Sequence, residues 1–379
     1  MVSSLYIHIP FCLKRCIYCD FVSGIYDPGK ADRYCAALKK EIVGIPAGTP
    51  LNTVYIGGGT PSTLSSDALS DLMSCVVNHF KFAGDYEATI EVNPGTLDRE
   101  KLTALRAAGI NRLSIGVQSF QSQELAVLGR IHSSEEAEQA VILAKDAGFD
   151  NVGIDLIYGI PGQSPDSWKT TLEKAVNLSP QHISVYELTV EEGTVLAELL
   201  RPGQKGFPLH LLEEESIIDM YKCAIDYLTS RGYVHYEISN FAGPEFLCRH
   251  NLNYWDRGEY YGAGLGAHSL SGKRRFHNTT DLDAYIKAVY ENRSPVAESE
   301  LINREKAVSE AIFLGLRKTA GINLNAVSTT LKTDILSRHL EVIHELQQAG
   351  LADFDMRTSR LCLTDTGRLL SNEVFIKLL

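Results

Sequence analysis

The chain has 379 residues, 44% of them hydrophobic and 22% charged, with 30 glycines and 13 prolines. This is ordinary globular usage, long enough for one large domain plus a smaller one, and it suggests neither disorder nor a fibrous repeat. A formal charge of −11, from 36 Lys+Arg against 47 Asp+Glu, disfavours a non-specific nucleic-acid binder.

No stretch approaches the roughly 20 apolar residues that span a bilayer. The opening MVSSLYIHIPFC lacks a basic segment followed by a long apolar run and a small-residue cleavage site. Cytoplasmic residence is therefore expected, with peripheral membrane contact left open. Eight cysteines in so long a chain do not read as a secreted disulfide scaffold. Cys35, Cys75, Cys223 and Cys362 are isolated and read as packed thiols.

In chain order, short β-branched or aromatic runs predict strands over 5–9, 53–56, 88–92, 112–116, 152–157 and 182–186. Helical patterns over 32–42, 66–80, 99–108, 135–147 and 167–176 separate them, with Asp98 as N-cap of the third helix. This is the rhythm of parallel β/α units, and six of them give an open α/β sheet or an incomplete barrel. Both architectures gather functional groups at the carboxyl ends of the strands. Cys12, the 57–60 turn, Glu91, Gln118 and Asp155 all fall at or near such ends.

After about Gln204 the rhythm changes. A helix over 211–229 and a strand over 233–237 precede a stretch, 238–271, rich in Gly, Asn and aromatics, which reads as a functional insertion. Helical patterns resume at 306–316 and 333–349, followed by a hairpin over 353–363 and a helix over 364–370. The expected division is 1–204 for the partial barrel, 205–300 for its completion with the functional insertion, and 301–379 for a smaller helical or winged-helix-like lobe.

Cys12, Cys16 and Cys19 are spaced by four and three residues. Thiolates are the soft ligands that iron–sulfur clusters prefer, and one short loop can wrap such a cluster. Three local thiolates leave one corner of a four-iron cluster open for another ligand. Lys14 and Arg15 offset the local negative charge. A tetrahedral zinc site completed from elsewhere, or three core thiols, are the alternative readings.

These cysteines follow a first strand, and the pattern Cys-x3-Cys-x2-Cys resembles that of the radical S-adenosylmethionine (SAM) superfamily. Tyr6-Ile7-His8-Ile9-Pro10-Phe11-Cys12, Gly57-Gly58-Gly59-Thr60-Pro61 and Glu91-Val92-Asn93-Pro94 are similar to the oxygen-independent coproporphyrinogen-oxidase-like family. The segments 113–120 and 155–163 extend the similarity over nearly the whole chain. The resemblance implies an α/β fold: a partial (β/α)6, TIM-like radical SAM barrel with a smaller C-terminal lobe. It implies a [4Fe–4S] cluster on Cys12, Cys16 and Cys19 whose open iron chelates SAM. Carried over by motif, Tyr6 helps seat the assembly, Gly58, Gly59 and Thr60 lie near the methionine end, and Glu91, Gln118, Arg130 and Asp155 make polar cofactor contacts. No catalytic residue is assigned.

Downstream, Cys248-Arg249-His250-Asn251-Leu252-Asn253-Tyr254-Trp255 is similar to the His-Asn-x-x-Tyr-Trp signature of heme chaperones within this family. His250 is then the expected heme-binding residue, with Cys248 a weaker candidate. Coproporphyrinogen dehydrogenases of the family carry a further Cys two positions after the third ligand, where this chain has Phe21, and a longer N-terminal segment. The resemblance therefore favours a heme chaperone. The alternative is an oxidase converting coproporphyrinogen III to protoporphyrinogen IX by radical decarboxylation. It also implies heme-receiving partners, respiratory cytochromes among them, and a homodimer. No nucleic-acid partner is expected.

Overall fold

The computed structural model describes residues 2–201 and 210–378. The 204/205 boundary expected above lies outside the described residues. Six parallel strands, β1 (Ser4–Ile9), β2 (Leu51–Gly58), β3 (Phe82–Val92), β4 (Arg112–Gln118), β5 (Val152–Tyr158) and β6 (His182–Glu187), lie side by side in chain order. Between them run α1 (Pro28–Gly44), α2 (Ser66–His79), α3 (Arg99–Ala107), α4 (Ser134–Asp146) and α5 (Pro165–Asn177).

The strands alternate over most of their length. Ile7, Val54, Ile56, Ile90, Leu113, Ile115, Ile154 and Ile183 are fully buried in one apolar core on the helix side. Their neighbours Tyr6, His8, Tyr55, Glu91, Arg112, Ser114, Asp155, His182 and Ser184 are polar and share the opposite face. A parallel sheet covered on both faces usually carries apolar runs. Here the period of two marks a polar interior, and that interior positions the site.

Side-chain caps fix where the helices start. Asp27, Ser65 and Asp98 accept from Lys30, Ala68 and Lys101 N–H, and Ser133 with Glu136 forms a reciprocal capping box. Asp98 thus caps its helix as its sequence position predicts.

The stretch over 238–271 is ordered and extends the sheet at both ends. Tyr261–Ala263 pairs in parallel with the outer side of β1, and Asn240–Ala242 pairs antiparallel with β6, followed by Val234–Glu237. The Arg249–Trp255 helix lies between these additions in sequence and packs against β2. Low periodicity concealed it, because seven residues make barely two turns. A three-stranded antiparallel sheet follows (His268–Ser271, Arg274–Asn278, Val296–Leu301).

The C-terminal part has its own apolar core around Ile312, Leu316, Ile335, Ile343, Leu361 and Val374. Helices Arg304–Leu316, Leu324–Leu331 and Ile335–Gln348 pack on a small antiparallel sheet whose order is Ile322–Asn323, Arg360–Leu363, Ala352–Asp355. That is a winged-helix arrangement. It is tied to the sheet edge where Ile238 N–H donates to Arg317 O (3.0 Å) and Thr319 N–H to Tyr236 O (3.1 Å). Among the described residues, no helix is long and apolar enough to cross a membrane.

Candidate functional site: a cysteine-rimmed cavity and a buried histidine

A cavity of about 440 Å³ opens at the carboxyl ends of the strands. Cys12, Cys16, Cys19, Gly58, Gly59, Thr60, Glu91, Gln118, Arg130 and Asp155 all line it. Of the cofactor-site residues expected from sequence, Tyr6 and His250 are not among its lining residues. Tyr6 stacks on Tyr55, which does line it, at 6.2 Å between ring centroids.

The cysteine loop is closed at its base. Phe11–Cys12 pairs with Gly24–Ile25, and Tyr26 N–H donates to Cys12 O at 2.9 Å. All three cysteines are free. Burial raises the pKa of the Cys12 and Cys19 thiols, and the Thr60 hydroxyl opposes this by donating to Cys12 Sγ at 3.5 Å. Arg130 donates through Nη1 to Cys16 Sγ (3.4 Å) and through Nη2 to Gly116 O (2.7 Å), so one guanidinium holds the loop to β4.

The glycine turn is shaped by space as well as by φ. A Cβ on Gly59 would lie 2.9 Å from Phe11 O and 3.0 Å from Cys12 Sγ. Gly58, at φ +117, points its N–H at Glu91 Oε2 (3.1 Å). Gln118 ends β4 at φ +66, a left-handed conformation that costs a non-glycine residue energy and that clusters at functional sites.

The two carboxyls are set differently. Burial pushes Glu91 up to about 7, opposed by the Tyr55 hydroxyl, which donates to it at 2.9 Å, and the Asp155 charge pushes the same way as burial. Burial also raises Asp155, against hydrogen bonds from Ser184 and Ser114. Both lie in a pocket where an ammonium or ribose hydroxyl would replace lost water.

Does this set fit an iron–sulfur cluster and SAM? Three thiols rim one cavity beside a glycine turn with no room for a Cβ, a half-buried guanidinium and two half-buried carboxyls. Thiols spread around a cavity suit a cluster, in which each binds a different iron. The residues fit. Sequence reasoning missed Tyr18, Tyr55, Ser114 and Tyr186, which also line the cavity. For three of them the signal was available as polar positions at a period of two within apolar strands.

His250 is elsewhere. Its ring is buried, with Nδ1 2.8 Å from Thr53 Oγ1 and Nε2 2.9 Å from the Tyr254 hydroxyl. Thr53 lies five positions before Gly58 on β2, so His250 sits toward the opposite end of the strand from the cysteines. The Tyr55 ring lies between, 5.1 Å from the His250 ring and hydrogen-bonded to Glu91. Burial, aided by Arg112, lowers the His250 pKa to about 3, so the imidazole is neutral. The first turn of its helix rests on Glu87, whose carboxylate accepts from Arg249 and His250 N–H at 3.0 and 3.1 Å. Cys248 is fully buried, and burial pushes its thiol up to about 12.

The pattern of the Radical SAM superfamily matches residues 6–175, and that of the HemN C-terminal domain matches residues 302–370. The heme chaperone HemW of Bacillus subtilis is 36% identical over 378 residues, covering 99% of this chain and 98% of that protein. HemW of Escherichia coli is 40% identical over 269 residues, 70% of this chain and 69% of that one. Among solved structures, the coproporphyrinogen III oxidase HemN of Escherichia coli superposes with a TM-score of 0.86 at 27% identity, covering 99% of this chain and 89% of that one. With both patterns in place and full-length identity above a third, the chain belongs to the HemW family of radical SAM proteins.

Proposed function

We propose that this protein binds heme and passes it to recipient hemoproteins, with a [4Fe–4S] cluster on Cys12, Cys16 and Cys19 and SAM in the adjoining cavity. When bound, the cluster and SAM supply one-electron chemistry. The chain's own residues bind and orient. Thr60 and Arg130 stabilise thiolate at Cys12 and Cys16, Glu91 and Asp155 accept from the amino group and ribose of the cofactor, and Gly58 and Gly59 let the backbone approach it.

One observation carries the heme reading. The helix bearing His250, Tyr254 and Trp255 is built into the interior of the same barrel, and the cysteine-rimmed cavity and His250 share strand β2 and the Tyr55 ring between them. The neutral imidazole is the form that ligates iron. Iron reaches Nε2 only after the Tyr254 hydroxyl has let it go, so capture requires a local rearrangement of this helix.

A heme titration of wild type and His250→Ala tests capture, with loss of the heme absorption shift in the variant expected. The anaerobic assay then supplies reduced cluster and SAM and asks for two products: decarboxylated coproporphyrinogen III, or heme in an apo-hemoprotein. Respiratory cytochromes are the first recipients to try, and sedimentation of the loaded protein registers a homodimer. The second reading, a coproporphyrinogen oxidase, is supported by the HemN superposition. Robust decarboxylation without heme transfer would establish that reading and sink the first.

A further inference from the structure

A second cleft, of about 310 Å³, lies beside the Arg249–Trp255 helix, bounded also by the His268–Ser271 strand and the Arg304–Leu316 helix. We propose that it takes the edge of a tetrapyrrole, with Arg257 and Arg275 binding one carboxylate arm of the ring. This rests on the heme reading above and adds which residues hold the cargo and by which of its groups.

The lining is suited to a flat apolar edge. Tyr254, Trp255, Tyr260 and Phe313 contribute aromatic surface, and Leu270 and Leu314 complete it. Two guanidinium groups belong to the same lining, and both are drawn to one carboxylate. Arg257 Nε lies 2.9 Å and Arg275 Nη1 2.6 Å from Glu310, whose side chain is 5% exposed. Each contact uses one nitrogen of a group that carries five N–H donors. Arg275 also faces Glu300 at 3.6 Å, but that carboxylate is 42% exposed and screened by water. Locally, then, two cations share one buried anion, and a second carboxylate arriving in the cleft would balance them.

Two further donors stand nearby. The Trp255 indole N–H is buried and has no hydrogen-bond partner among the described residues, and the same holds for Nε of Arg317, which stacks over the Trp255 ring at 4.4 Å. Behind the cleft, the Tyr254 hydroxyl separates it from His250 Nε2. A cleft of this size is at the small end of ligand sites. It holds one edge and leaves most of the ring outside, which suits a cargo that must be surrendered to another protein.

The test uses the full chain and three probes: iron protoporphyrin IX, metal-free protoporphyrin IX, and its dimethyl ester, which keeps the ring and removes both charges. Wild type should bind the free acid about tenfold or more tightly than the ester, the factor expected for one charge-assisted contact. Arg275→Gln should weaken the acid by a similar factor and leave the ester unchanged, and Arg257→Lys should do so partially. The wild-type comparison needs no variant to fold. Equal affinity for acid and ester, or equal loss of both in Arg275→Gln, would overturn the proposal even if heme still binds in a His250-dependent way. Failure of wild type to bind any of the three would overturn both this proposal and the heme reading beneath it.

Discussion

At pH 7 Glu91 stands near its midpoint, because burial has moved its pKa from 4.5 to about 7. Between those values the folded chain binds a proton that the unfolded chain has lost, so stability falls as pH rises through this window. Gln cannot ionise. Glu91→Gln should therefore stabilise the fold relative to wild type more at about pH 8 than at about pH 5, by on the order of 1–3 kcal/mol, followed by thermal melts at the two pH values. The same change removes the charged acceptor, and SAM affinity should fall about tenfold at the higher pH, measured by calorimetry. An equal thermal gain at both pH values would show that Glu91 is not the titrating group. At the other end of the interior, Tyr254→Phe leaves His250 Nε2 without its partner. Stability should drop by about 1–3 kcal/mol, and heme association, followed by stopped flow, should speed up because no hydrogen bond must break first. An unchanged association rate would mean that Tyr254 is not the barrier.

The glycine turn after β2 and the cysteine loop after β1 act as one element, since Thr60 N–H donates to Phe11 O at 2.8 Å and Gly59 N–H to Ile9 O at 2.9 Å. A Cβ at Gly59 would meet backbone and a cysteine sulfur, neither of which is the loose end of a flexible side chain. Gly59→Ala should therefore cut iron and sulfide well below the about four each per chain expected of an intact cluster, with the circular dichroism spectrum unchanged. Replacing Cys12, Cys16 or Cys19 should abolish the cluster, whereas replacing Cys35, Cys75, Cys223 or Cys362 should spare it. Retention of zinc without sulfide would contradict the cluster. The strands and helices of the barrel were legible because each repeats its apolar period over enough residues to register. The Arg249–Trp255 helix was not, because Glu87 and Thr53, far away in sequence, hold it in place.

Across the whole molecule, the C-terminal lobe has its own core and is coupled to the barrel by a small apolar cluster, in which Leu270 and Tyr260 join Ile302, Ala307 and Leu331, and by a few polar contacts. Arg317 lies 4.0 Å from Glu237, a carboxylate with no exposed surface, and the Arg257–Glu310 and Arg275–Glu310 pairs cross the same boundary. A chain ending at residue 300 should still bind iron and sulfide, because the cysteine cavity lies wholly before it. It should be less stable than the full chain and melt at a lower temperature, since Leu270 and Tyr260 lose their apolar cover and Glu237 its cation, and it should bind heme more weakly. Loss of the cluster from a chain that keeps its barrel would refute this division. The sequence alone determined the cysteine loop, the glycine turn and the β/α rhythm, because ligand spacing, steric freedom and periodicity are local properties of the chain. It also named His250, through a motif, without showing where that residue lies. Only the tertiary structure decided that His250 is buried against Thr53, that Tyr261–Ala263 extends the sheet beside β1, and that Arg257, Arg275 and Glu310 meet at one cleft. Those facts depend on contacts between residues tens to hundreds of positions apart, which no local pattern encodes.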